Sequence, residues 1–247
     1  MNSVVIVTGG SRGIGRSAAL AAATRGYKVV VGYASNKDAA DEVVGKIEAS
    51  NGKAIAVNCD VGSEADILNL FKQADAFGPL HGLVNNAGIV DQTARIDEMS
   101  AERLTRMMNI NVVGSILCAR EAVKRLSTKH GGNGGVIVNL SSVAATLGSP
   151  SQYVDYAASK GAIDTFTLGL GREVSAEGIR VVGIRPGLID TDIHASGGEP
   201  DRAHRLAHTV PMKRVGTPEE IANAVVWLLS DDASYVTATT MDVSGGR

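Results

Sequence analysis

The chain has 247 residues, a length that fits one domain of generous size with a sizeable core. Its 44% apolar and 20% charged residues, with 29 glycines, suit an α/β protein, and a net charge of −2 gives no electrostatic reason to expect nucleic acid or an anionic membrane as partner. The two cysteines, Cys59 and Cys118, fall in segments expected to be buried and form no metal-binding cluster, so a reduced, cytoplasmic chain is the simplest reading.

The first residues, MNSVVIVTGG, have neither a basic start nor a long apolar run and read as a first strand rather than a signal peptide. No apolar stretch approaches the length of a membrane span. Val4 to Thr8 leads into Gly9-Gly10-Ser11-Arg12-Gly13-Ile14-Gly15, and an alanine-rich helix follows from Ser17 to Thr24. Strand, glycine turn and helix are the setting a dinucleotide loop requires, and Gly13, Gly15 and Ala18 fit G-x-G-x-x-G/A. Small residues let the main chain approach a pyrophosphate held at the positive helix end. A glycine turn can also merely connect a strand to a helix.

The second strand is Lys28 to Tyr33. Where an NAD-binding chain normally carries an Asp or Glu for the ribose 2′-hydroxyl, this one has Tyr33, followed by Ala34, Ser35, Asn36 and Lys37. No carboxylate repels a 2′-phosphate there, and Arg12 could attract one, so NADP is favoured over NAD unless Arg12 and Lys37 are simply solvated. Asp38 to Ser50 reads as an amphipathic helix, and a third strand from Ala54 to Val57 ends at Asn58-Cys59-Asp60-Val61. Asp60 either accepts a hydrogen bond from an adenine amino group or caps a local turn.

A helix from Ser63 to Ala76 precedes strand four, Leu83-Val84, which ends in Asn85-Asn86-Ala87-Gly88. Small and amide residues suit a strand end beneath a cofactor, although they also suit an ordinary turn. Ser100 to about Lys129 reads as one long helix, in which Asn111 needs a polar partner because an asparagine and a glycine inside an apolar helix cost stability. A fifth strand, Val136 to Leu140, runs into Ser141 and Ser142.

Tyr156 and Lys160 are four apart, one helical turn, on the helix that follows. An ammonium about 5–6 Å from a phenolate attracts it by roughly 3 kcal/mol at an effective dielectric near 20, about two pKa units. Desolvation opposes this, and the positive charge of a nicotinamide would assist it. Tyr156 would then be a usable acid or base. The plain alternative is a packed tyrosine beside a solvated lysine.

Strand six, Ile179 to Ile184, leads into Arg185-Pro186-Gly187, and residues 188–217 form the longest irregular segment, the kind of loop that serves as a lid. His204 and His208 have metal-compatible i, i+4 spacing with no supporting ligand, and no metal is expected. The helix Pro218 to Ser230 carries an apolar stripe with Trp227, explained by core packing, and a short strand spans Thr240 to Val243.

Together TGGSRGIG at 8–15, CDV at 59–61, NNAG at 85–88, Asn111, Ser142, YAASK at 156–160 and RPG at 185–187 resemble the short-chain dehydrogenase/reductase family, including its glucose 1-dehydrogenase-like members, over the full length. The resemblance implies a single Rossmann-type α/β domain: a doubly wound parallel seven-stranded sheet of order 3-2-1-4-5-6-7 flanked by helices, in a homotetramer assembled through the long helices and the last strand. It implies Tyr156 as acid/base, Lys160 lowering its pKa and binding the nicotinamide ribose, Ser142 orienting a carbonyl, and Asn111 holding a water in a proton relay. Pro186, Gly187, Ile189 and Thr191 would contact the nicotinamide. The remaining cofactor contacts would come from Gly9, Ser11, Arg12, Gly13, Ile14 and Gly15, from Tyr33, Ala34, Ser35 and Asn36, from Asp60 and Val61, and from Asn86, Ala87 and Gly88. The expected reaction is hydride transfer between NADPH and a small carbonyl or alcohol substrate. A non-catalytic dinucleotide sensor is the competing reading, and a β-ketoacyl-carrier reductase or sugar dehydrogenase the alternative within enzymes.

Three departures stand out. Ser142 lies one residue farther from Tyr156 than is usual, so the intervening loop must bulge or Ser141 take its place. Ala238 stands where the family commonly has glycine. Glu177 replaces a basic residue typical of acyl-carrier-protein reductases, and its charge would repel an acidic carrier.

Overall fold

The valine-rich runs become strands because they can be buried on both faces, which is the environment of a parallel sheet covered by helices. The structure, a computed structural model, describes residues 2–247, with the side chain of His194 outside the described set. Seven strands, β1 (Val4–Val7), β2 (Lys28–Tyr33), β3 (Lys53–Asn58), β4 (Leu80–Asn85), β5 (Gly135–Leu140), β6 (Ile179–Pro186) and β7 (Thr239–Val243), form one sheet. It is parallel throughout, in the order β3-β2-β1-β4-β5-β6-β7.

The first helices are α1 (Gly13–Thr24), α2 (Lys37–Ala49) and α3 (Glu64–Phe77). Next come α4 (Ala101–Met108), α5 (Ser115–Leu126), α6 (Ala144–Leu147) and α7 (Val154–Val174). The short α8 (Ile193–Ser196) and α9 (Arg202–Leu206) precede α10 (Pro218–Leu229). Alternate strand residues feed two cores: Val5, Val7, Val29 and Val31 pack with α1, α2 and α10, while Val4, Ile6, Val30 and Leu83 pack with α3, α5 and α7. The order reverses between β1 and β4, so their C-terminal ends open the crevice where doubly wound sheets bind ligands.

Four expectations are corrected. The long helix is not uniform: Asn109–Gly114 is a π-helical segment between α4 and α5. The wider turn brings Gly114 so close to the Val61 carbonyl that a Cβ would lie 2.4 Å from it, and lets Asn109 Nδ2 donate to the Gly62 carbonyl (3.1 Å). Strand β4 begins at Leu80, because glycine at 82 leaves room for Leu229 of α10, which a Cβ would meet at 2.7 Å. Residues 188–217 are partly regular, holding α8, α9 and a bridge between Ile189 and Gly216. Trp227 is 36% exposed rather than core, because Ile221, Val225 and Leu228 already fill the buried side of α10.

Candidate active site

The glycine turn after β1 is shaped by backbone requirements. Gly9 and Gly13 have φ of +63° and +51°, and a Cβ on Gly15 would lie 2.2 Å from the Gly9 carbonyl oxygen. Helix α1 begins at Arg12 with no side-chain cap and no acidic residue in its first turn, whereas α2, α3, α4 and α10 are capped by Asn36, Ser63, Ser100 and Thr217. An uncapped positive helix end behind a glycine turn fits a pyrophosphate. Asn86 fastens this turn to β4, its Nδ2 donating to the carbonyls of Thr8 (2.9 Å) and Gly9 (3.0 Å). The main-chain N–H groups of Asn86 and Ala87 both donate to Thr8 Oγ1.

The Arg12 side chain is exposed and makes no ion pair or hydrogen bond among the described residues, whereas Lys37 is paired with Asp41. The two side chains weighed for a 2′-phosphate therefore differ: Arg12 is available and Lys37 is engaged. Tyr33 is buried, and Ala34, Ser35 and Asn36 are exposed beside the turn. Asn58 Nδ2 holds the carbonyl of Ala34 (2.7 Å), and Asn36 accepts from the Ala39 N–H (3.0 Å). Asp60 closes a local turn by accepting the Gly62 N–H (2.9 Å), and Val61 is buried next to it.

The reactive groups meet in a cavity of about 160 Å³ at the C-terminal ends of β4, β5 and β6. Ser142, Tyr156 and Lys160 line it together with Ile14, Asn86, Gly88, Pro186, Gly187, Ile189 and Thr191. Ser11, Arg12, Tyr33 to Asn36, Asp60 and Val61 are outside this lining. Lys160 Nζ lies 5.6 Å from the centre of the Tyr156 ring and donates to the Leu140 carbonyl (2.7 Å). Burial raises the Tyr156 pKa, opposed by a hydrogen bond with Ser142 and by the charge of Arg202. Burial lowers that of Lys160 to about 8. In the protein by itself, desolvation outweighs the effects of Ser142 and Arg202 and holds the Tyr156 phenol above its ordinary value.

Of the two serines, Ser141 donates its hydroxyl to the Lys160 carbonyl (3.1 Å), whereas Ser142 Oγ accepts the Ala144 N–H (3.1 Å) and stands beside Tyr156. The extra residue between Ser142 and Tyr156 falls in a loop where Gly148, Ser149 and Ser151 all have positive φ. Asn111 is buried: it donates to the Ile89 carbonyl (2.9 Å) and Ser159 Oγ (3.1 Å) and accepts the Ile89 N–H (2.8 Å). Ser159 lies on α7, so Asn111 finds its polar partner partly by tying the π-helical segment to a neighbouring helix. His204 Nε2 is 3.4 Å from Asp190 Oδ1, and the ring of His208 is bonded to the Arg205 carbonyl, so the two face different partners.

Glu177 needs correction. It is buried, accepts from Ser127 Oγ, and pairs with Lys129 Nζ (2.6 Å), so its charge is neutralised locally and presents no repulsive field to an acidic carrier. Sequence reasoning missed Tyr153, Leu147 and Arg247, which also line the cavity, as does Arg202 of the 188–217 segment. Tyr153 could have been found three residues before Tyr156, at the start of the same helix; Arg247, past the last strand, carries no local signal.

Sheet order, glycine turn and the Ser142, Tyr156 and Lys160 cavity define a dinucleotide-dependent oxidoreductase fold, and the chain belongs to the short-chain dehydrogenase/reductase family. A family model described as enoyl-(acyl carrier protein) reductase matches residues 9–247. The chain is 53% identical over 246 residues to the protein named uncharacterized oxidoreductase YgfF of Escherichia coli K12, covering 99% of this chain and 100% of that one. It is 39% identical to a 3-oxoacyl-[acyl-carrier-protein] reductase of Synechocystis, covering 98% of this chain and 96% of that one. It is 38% identical to glucose 1-dehydrogenase 2 of Bacillus subtilis, covering 98% and 93%. A short-chain dehydrogenase from Burkholderia cenocepacia, solved in complex with NADP, superposes with a TM-score of 0.90 at 31% identity, over 100% of this chain and 98% of that one.

Proposed function

We propose that this protein is an NADP(H)-dependent oxidoreductase that interconverts a small carbonyl compound and its alcohol. The observation that carries the reading is that Ser142, Tyr156 and Lys160 line one cavity beside an uncapped glycine turn. The turn would hold the pyrophosphate, Arg12 the 2′-phosphate, and Pro186, Gly187, Ile189 and Thr191 the nicotinamide end. A bound nicotinamide dinucleotide would supply the hydride.

The chain's own groups manage the proton. Ser142 holds the substrate oxygen beside the Tyr156 hydroxyl, and in the reducing direction Tyr156 gives its proton to that oxygen as the carbonyl becomes an alcohol. Lys160, fixed by the Leu140 carbonyl, places positive charge next to the phenolate that remains. Asn111 fixes the Ile89 backbone at the edge of this site. Residues 188–217 close over the substrate as a lid. Four chains assemble through the outer faces of the long helices, and the buried, free cysteines Cys59 and Cys118 suit a reduced cytoplasm.

With the repulsion by Glu177 removed, acyl thioesters belong beside ketones and sugars in a spectrophotometric screen of NADPH oxidation and NADP reduction. Tyr156→Phe should lower turnover of whichever compound reacts by about 100-fold or more while NADPH still binds. Near-full turnover in that variant would refute the assigned chemistry.

A further inference from the structure

The cavity that holds Tyr156 is also lined by two arginines, Arg202 at the start of α9 and Arg247 beyond β7. Arg202 lies over the Tyr153 ring, 5.3 Å from its centre, and Nη2 donates to Gln152 Oε1 (2.9 Å). Its Nε is buried and has no hydrogen-bond partner. Neither arginine forms an ion pair among the described residues, although both are partly buried. Other partly buried arginines do find partners: Arg103 pairs with Asp155, Arg125 with Asp75, Arg185 with Asp164, and Arg180 donates to main-chain carbonyls. The nearby carboxylate of Glu199 is already engaged by Arg205 and Thr93. Burial, reinforced by the charge of Arg202, lowers the Arg247 pKa, so the pair repel each other with no anion between them.

Two guanidiniums with no carboxylate partner in a cavity wall, one with a buried and unpartnered Nε, are costly unless an anion completes them, because a buried donor without a partner loses its hydration for nothing. Guanidinium forks match the planar oxygens of carboxylates and phosphates. We propose that Arg202 and Arg247 form an anion-recognising end of the substrate cavity, so that the substrate is a small oxo- or hydroxy-compound bearing a carboxylate or phosphate monoester near the reacting carbon. The proposal rests on the carbonyl–alcohol reading of the same cavity and names its substrate class. Because both arginines line the same cavity of about 160 Å³ as Tyr156, and Arg202 is stacked on Tyr153, the anion falls within a few bonds of the reacting oxygen.

The test compares short oxo acids with their methyl esters, and phosphorylated hydroxyketones with the unphosphorylated compounds, in NADPH-linked assays. The charged member of one pair should exceed its neutral partner in kcat/KM by about tenfold or more, mainly through KM, and the pair that does so identifies the anion. Arg202→Met and Arg247→Gln should each lower that ratio by about tenfold, and Arg202→Lys should restore part of it. In parallel, calorimetry with malonate and with glycerol phosphate on the NADPH-loaded protein reads anion binding without turnover. Binding of either anion that is lost in Arg202→Met, in a chain that reduces nothing, would keep the anion site and sink the oxidoreductase reading. Turnover of neutral ketones or thioesters with no preference for the charged partner, or a ratio unmoved by both variants, would overturn the anion site alone.

Discussion

Lys160 is the residue at which function and stability pull in opposite directions. Its pKa falls from 10.5 to about 8 on burial, so the folded state disfavours the charge that the unfolded chain carries freely. The penalty, about 3 kcal/mol, is fully present below pH 8 and vanishes as pH rises through 10.5, because in that interval the unfolded chain holds the extra proton. Lys160→Met removes the penalty at the expense of the Leu140 hydrogen bond, worth about 1 kcal/mol. The variant should therefore melt no lower than the parent at pH 7, lose that advantage toward pH 10, and turn over about 100-fold more slowly. Melting curves across this range check the sign; a variant several degrees less stable at pH 7 would show that Lys160 is a structural post. At the other end of the crevice, Arg12→Ala should weaken NADPH binding about tenfold and leave NADH nearly untouched, since the lost interaction is with the 2′-phosphate alone. Fluorescence titration with both cofactors measures this directly.

At the scale of elements, the junction before β7 carries strain. Ala238 has φ of +53°, a region that costs an alanine roughly 1 kcal/mol, and it sits against α7, where a Cβ on Gly171 would lie 2.7 Å from its Cα. Ala238→Gly should therefore be neutral to slightly stabilising, by up to about 1 kcal/mol, because strain relief is offset by the entropy of a freer unfolded chain. Gly171→Ala should destabilise by about 2 kcal/mol or more, since the new methyl meets the Ala238 backbone N and Cα and its Cβ, all within 3 Å. Urea unfolding of the two variants separates these effects. The departure from glycine at 238 was visible in the sequence, but its partner Gly171 was not, because the pair meets only through tertiary packing. The same limit explains the other differences. Strands were legible because valine runs report burial directly, and the glycine turn because its constraint is local. The π-helical segment was not, because the close approach of Gly114 to Val61 that accompanies it joins residues some fifty apart in the chain. Trp227 misled for the opposite reason: an apolar stripe marks a helix face, and a large residue at its edge can belong to the outer surface instead.

For the whole molecule, the layer formed by α3, α5 and α7 is buried on its sheet side and still apolar outside. Leu68, Ile116 and Leu168 on this layer are 45%, 37% and 39% exposed, and Val113, on the π-helical segment leading into α5, is 45% exposed. Side chains of this kind scattered singly would need no explanation, but four along these helices suit an interaction surface. A second copy of the chain is the partner that the family resemblance implies, and burying these side chains across symmetry-related copies would contribute about 25 cal/mol per Å² of apolar area. Sedimentation at micromolar concentration should give the mass of four chains. Ile116→Asp combined with Leu168→Asp should shift that mass to smaller species and weaken the dependence of the melting temperature on protein concentration, because mass action links folding to assembly only while the chains associate. Both positions face solvent in the single chain, so the paired substitution leaves the core packing intact and a loss of assembly can be separated from a loss of fold by circular dichroism. A parent protein that sediments as one chain, or a doubly substituted variant that keeps the parent's mass, would remove this helical layer from the interface.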